Sequence, residues 1–274
     1  MHRIALTAVI VAAALAAGPA LAGRGCDAMP VEPLALARAS DTALQVHAAL
    51  AAHDAPVALV SRSGTDLSRH GLRYSHVGIA VRDHPDGAWT VVHLLNGCGS
   101  DRSGIYAEGL VNFFADDLVD LRTRLTWLEP ATAQRLATLS MDGTALRLHQ
   151  PRYNLVARPG SRRTQNSTAW VLEMLAVAAS PDTTPVDRHS AHRRLAGGEE
   201  GHDLIDIPRL QRLAGGLFAA NTDFRDHPLS TRVSGRYPVV TERSIQRWLQ
   251  AEGLVERWLE LGAESGLSPG SGSP

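Results

Sequence analysis

Along the chain, apolar positions recur with two different periods. Over residues 33–52, Leu36, Ala39, Ala43, Leu44, Val46 and Leu50 fall at helical spacing, predicting a helix that the polar, proline-bearing 54–56 ends. Residues 57–60 (VALV) form a short apolar run of the buried-strand kind, followed by a polar loop at 61–64. Residues 74–81 (YSHVGIAV) predict a strand, 83–87 (DHPDG) a reversal, and 89–95 (WTVVHLL) the returning strand. The two should pair as an antiparallel hairpin with a wide loop. A short apolar stretch at 110–114 predicts one or two helical turns, 122–128 a further strand, and 130–139 a helix with Pro130 in its first turn. Residues 152–157 (RYNLVA) read as extended and lead into a polar loop over 159–165. The clearest helical signal follows, with Asn166, Ser167 and Thr168 as cap residues before Trp170, Val171, Met174, Leu175 and Val177. Residues 180–201 predict a loop or mobile insertion, 203–213 a helix interrupted at Pro208, and 239–249 a strand, a cap and a helix. From residue 266, glycine, serine and proline predict a disordered tail.

The first 22 residues add a compartment to this picture. His2 and Arg3 give a positive start, residues 4–17 carry no charge, and Pro19 precedes Ala20, Leu21 and Ala22 in an A-x-A pattern. This predicts a signal peptide cleaved after Ala22 and a periplasmic or secreted protein, with residues 23–265 as a single α+β domain. The apolar stretch is shorter than the ~20 residues a spanning helix needs, so no membrane span is expected in the mature chain. Net charge is −1 and every basic side chain is arginine, which offers no long-range attraction for nucleic acid. Two cysteines, Cys26 and Cys98, are present. In an exported chain such a pair reads as a disulfide, worth roughly 4 kcal/mol for a loop of this length. The alternative, Cys98 as a nucleophile, wants an activating base that its neighbours do not supply.

Two segments carry candidate chemistry: residues 74–79 (YSHVGI) on a strand and 165–173 (QNSTAWVLE) opening a helix. With 91–94 (VVHL) between them, they resemble the circularly permuted branch of the NlpC/P60-type papain-like hydrolases. That resemblance implies an α+β, permuted papain-like core with an antiparallel sheet and packed helices. His76 matches the base and His93 the orienting residue, while Ser167 falls where the family has its cysteine. The chain also resembles an uncharacterised family of exported bacterial proteins, the domain-of-unknown-function 2145 family. The residues that carry this likeness are 74–79, 93–99 (HLLNGCG), 165–173, 221–224 (NTDF) with His227 and Pro228, and 237–241. It implies no activity.

The chemistry of such a constellation is general. A helix N-terminus stabilises an anion and can form an oxyanion hole, and a nearby histidine can take a proton. Serine ionises far less readily than cysteine, so a thiol-tuned site with Ser167 demands tighter geometry. Two readings follow. In one, the protein keeps a papain-like cleft and acts by binding an envelope component or a small-molecule or peptide ligand. In the other, Ser167, His76 and His93 hydrolyse or transfer an amide or ester of the envelope. The residues alone also allow Ser167 to be a plain helix cap, and His76 and His93 to be hydrogen-bonded core histidines. His189, His192 and His202 fit no established zinc spacing, and neither a metal nor a cofactor is expected. Glu173 reads as a salt-bridge partner.

Overall fold

The computed structural model describes residues 32–262, apart from 116–117, 181–185, 197, 199–200 and 213–219. The expected signal peptide, Cys26 and the tail from 266 lie outside the described residues, as does part of the expected insertion. The first half of the chain holds α1 (Pro33–Ala51), β1 (Val57–Ser63), β2 (His76–Val81), β3 (Thr90–Asn96), β4 (Ser103–Glu108), α2 (Leu110–Phe114), β5 (Asp120–Leu128), α3 (Pro130–Met141) and α4 (Thr144–Arg147). The second half holds α5 (Ser167–Ala178), α6 (Arg188–Leu195), β6 (Asp203–Asp206), α7 (Leu229–Ser234), β7 (Arg236–Val239), α8 (Glu242–Ala251) and β8 (Val255–Leu261). Among the described residues six strands form one antiparallel sheet in the order β4-β3-β2-β1-β5-β8, and β6 pairs with β7 apart from it. The fold is α+β, as expected.

Strand alternation divides the core into two layers. Val57, Leu59, Val77, Ile79, Val81, Val92 and Leu94 pack with α3, α5 and α8 on one face of the sheet. Ala58, Val60, Ala80, Val91, Leu125 and Trp127 pack with α1 and α2 on the other. α1 buries Ala39, Thr42, Ala43, Val46 and Leu50, a stripe at spacings of three and four. Leu36 and Leu44, expected in that stripe, fall off it and are exposed. α5 is not amphipathic: all twelve of its residues are buried, because the sheet, α3, α6 and α8 enclose it. Each large apolar side chain buried there contributes about 1.5–3 kcal/mol.

Several elements differ from the reading of the sequence. Residues 203–206, expected to begin a helix, are strand β6, whose partner β7 lies thirty residues on and offers backbone pairing that local pattern does not reveal. Within 180–201, read as a loop, α6 forms with a capping box between Asp187 and Ser190. Residues 152–157 form no named strand; isolated bridges join Arg102 to Arg152 and Tyr153 to Gln165, and Leu155 donates to the Asn221 carbonyl. β4 and β8 were not anticipated.

α8 joins the two sheets. Thr241 caps it and donates to Asp203 Oδ2 at 2.5 Å, while Arg243 and Arg247 donate to the same carboxylate at 3.0 Å. One residue into the helix, Glu242 is buried against β1 and accepts from Ser61 Oγ at 3.3 Å. Burial pushes the Glu242 carboxyl above its usual range, against the opposing pull of Arg124, Gln246 and Ser61. A carboxyl whose folded pKa is raised stabilises the fold fully below its unfolded value, and that contribution is lost as pH rises through the folded one. Glu242→Gln should therefore gain stability relative to the wild type as pH is raised from acid to slightly alkaline, measured by urea unfolding across pH.

Candidate functional site

His76 opens β2 and His93 lies in β3, and the antiparallel pairing of these strands brings the rings together. His76 Nε2 and His93 Nδ1 are 2.9 Å apart, with ring planes at 70°. His93 is wholly buried and His76 nearly so. Glu108, at the end of β4, places Oε2 3.5 Å from His93 Nε2. That separation is longer than an ideal hydrogen bond, and among the described residues this nitrogen has no partner in hydrogen-bonding geometry. Arg62 is paired across strands with His76 in the β1–β2 register. Its guanidinium lies 4.5 Å from the Phe113 ring centroid and donates through Nη1 to the Phe113 carbonyl. Phe113, on α2, also contacts both imidazoles, at 5.9 Å and 5.3 Å between ring centroids.

These residues share one face of the sheet. His76 alternates in phase with Gly78 and Ala80, and His93 with Val91, all towards α1 and α2. Ser167 stands elsewhere. It is the first residue of α5, behind the N-cap Asn166, whose side chain accepts from Ala169 N at 2.8 Å. α5 packs on the face that carries Val77 and Ile79. Ser167 stands beside the Tyr153 phenol, whose pKa burial pushes up to about 12. Of the three expected site residues, the structure brings His76 and His93 together. Ser167 opens a helix that packs on the other face of the sheet.

The remaining candidates are engaged structurally. Glu173 is buried and accepts from Gln165 Nε2 at 2.7 Å, from Arg188 at 2.8 and 2.9 Å, and faces His192 Nε2 at 2.9 Å. This is the salt-bridge role read from the sequence. His189 meets Arg162 at 3.1 Å. Among the described residues no three His, Cys, Asp or Glu side chains are grouped so as to hold a metal ion. No cysteine among them is free.

A family model described as an uncharacterized protein conserved in bacteria (DUF2145) matches residues 49–249. The chain belongs to this family. No curated protein and no solved structure matches it. The DUF2145 span begins in α1, ends in α8, and takes in His76, His93, Glu108 and Ser167.

Within this DUF2145 protein, Glu108 and Tyr153 are the site residues that reading the sequence missed. Glu108 was hidden because β4 was: of residues 103–108 (SGIYAE), Ile105 packs against the core while Tyr106 and Ala107 are exposed, so no clear alternation marks the strand. Tyr153 lies in a segment without regular structure, so nothing local points to Ser167.

Gly78 makes room for the layer around the histidines. A Cβ there would stand 2.3 Å from Val91 Cγ1 and 3.1 Å from the Phe113 ring. Gly78→Ala should lose about 1–3 kcal/mol of unfolding free energy, the usual cost of overpacking, measured by urea denaturation.

Proposed function

We propose that this is an exported envelope protein that acts by binding, with His76 and His93 as its polar focus, and not by hydrolysis through Ser167. What supports the reading is that the histidine pair lies against Phe113 of α2, while α5, the helix that Ser167 opens, packs on the opposite face of the sheet. A serine nucleophile needs a base within about 3 Å. Beside Ser167 stands Tyr153, a phenol whose pKa burial raises further, to about 12, so that it offers no base. The capping of α5 and the Tyr153 contact together account for the polar character of its first turn.

Export is supported by the charge, apolar and A-x-A pattern of residues 1–22. No described helix is long and apolar enough to cross a membrane. In an oxidising compartment Cys26 and Cys98 would pair, tying the mature N-terminus to the loop after β3. The ligand is an envelope component, or a small molecule or peptide, taken up by a single α+β domain over residues 23–265. The competing reading is the papain-like one, a hydrolase or acyltransferase built on Ser167, His76 and His93, which requires the first turn of α5 to approach the pair.

A fluorophosphonate serine probe separates the two readings. Binding predicts no adduct on Ser167 by peptide mass mapping; an adduct there that vanishes in Ser167→Ala would establish the hydrolase. For the cysteines, the denatured but unreduced exported protein should react with no thiol reagent. Stoichiometric labelling of Cys98 would defeat the disulfide.

A further inference from the structure

The small sheet of β6 and β7 has an outer edge whose hydrogen-bonding phase is fixed by one bond and one proline. Ile207, just past β6, donates its N–H to the carbonyl of Gly235, just before β7, at 2.9 Å. Bonded pairs in an antiparallel ladder recur at every second residue, so Ile205 with Tyr237 and Asp203 with Val239 are the bonded pairs. Pro238, opposite Leu204, has no N–H and suits the non-bonded position between them. The N–H and C=O groups of Leu204 and Asp206 therefore point away from β7. Among the described residues, no backbone bond outside the ladder reaches either of them.

That edge runs along a groove of about 360 Å³. Leu204, Ile205 and Asp206 line it in succession, and since they alternate between the two faces of the sheet, the hollow lies beside the backbone. Across it stand Arg69 and His70, from the single helical turn Ser68–His70. The open stretch is short. At one end the outward carbonyl of His202 accepts from Arg247 Nη2, and at the other Pro208 lines the groove and offers no N–H. Arg69 donates through Nε to His70 Nε2 at 3.1 Å, a neutral acceptor and not a carboxylate. Of the carboxylates near it, Asp66 accepts from Ser68 N at 2.9 Å and Asp206 lies 3.7 Å from Arg236.

We propose that this groove takes an extended peptide as a third strand on β6, with a carboxylate side chain of the peptide meeting Arg69. The two donors and two acceptors of Leu204 and Asp206 supply the main-chain bonds, the half-exposed Leu204 side chain an apolar contact, and Arg69 the selectivity. An open strand edge recruits extended chain by the same bonds that build a sheet. The site stands on the smaller sheet, so the reading of His76 and His93 neither supports it nor falls with it.

Two blocked hexapeptides serve as probes, one alternating valine with glutamate and the other valine with glutamine, each titrated into the full mature protein. Amide hydrogen exchange at Leu204 and Asp206 should be fast in the free protein and slow about tenfold at saturation, the effect of one net main-chain bond. The glutamate peptide should bind about threefold more tightly, as an exposed ion pair allows, and Arg69→Gln should abolish that preference. Leu204→Pro removes only an outward N–H and should weaken both peptides about tenfold. Should that variant not fold, two glutamate peptides N-methylated at alternate residues, one in each phase, make the same test: one should lose binding and the other keep it. Strand addition is overturned by slow exchange at Leu204 and Asp206 in the free protein, whether or not it depends on protein concentration as pairing between two copies would. It is equally overturned by no binding at about 1 mM, by binding that leaves exchange unchanged, or by equal affinity of the two N-methylated peptides. Equal affinity of the glutamate and glutamine peptides for the wild type would remove Arg69 from the site.

Discussion

The central sheet has to be covered on both faces, and almost every other feature of the molecule follows from how that is done. Its inner strands carry apolar side chains in both phases, so neither face can be left to water. One face takes α3, α5 and α8, the other α1 and α2. Because the side-chain period is two, a slip of one residue in β2 would exchange Val77 and Ile79 for His76 and Gly78 beneath α5. The register that buries the larger apolar set against α5 is the one that sends His76 and His93 to Phe113.

The same constraint shapes α5. A helix enclosed on all sides has no solvent face on which to place a charge, yet it carries Glu173. Three neighbours supply the compensation: Gln165 before the helix, and Arg188 and His192 from α6. Breaking such a buried set leaves an uncompensated charge, which explains why α6 is anchored where it is. The first turn of α5 is likewise occupied by its own cap and by Tyr153, which keeps Ser167 within the packing of that layer.

On the other face, the chemistry comes from strands rather than from a helix terminus. Arg62, His76, His93 and Glu108 sit on four neighbouring strands, with Phe113 laid over the first three. Rigid neighbouring strands hold side chains more closely than loops do, and an aromatic lid lowers the local dielectric, strengthening each polar contact. Gly78 belongs to this arrangement because its missing side chain is the space that Phe113 and Val91 use.

How much of this was legible in the sequence varies by element, for physical reasons. The hairpin of β2 and β3, the cap at Asn166 and the helices α1, α3, α5 and α8 were readable because periodicity and capping are local properties. β6 was obscured, and β7 was read only at its last residue, because a four-residue strand is specified by a partner far along the chain. β4 and β8, at the two edges of the sheet, carry weak alternation because one side of an edge strand is open. Family membership was legible too, since it rests on residue order. The sequence by itself determined which residues are polar and where each element begins. Only the tertiary structure decided that His76 and His93 meet, on the face opposite the helix that Ser167 opens, because the face a side chain takes depends on which register buries the most apolar surface.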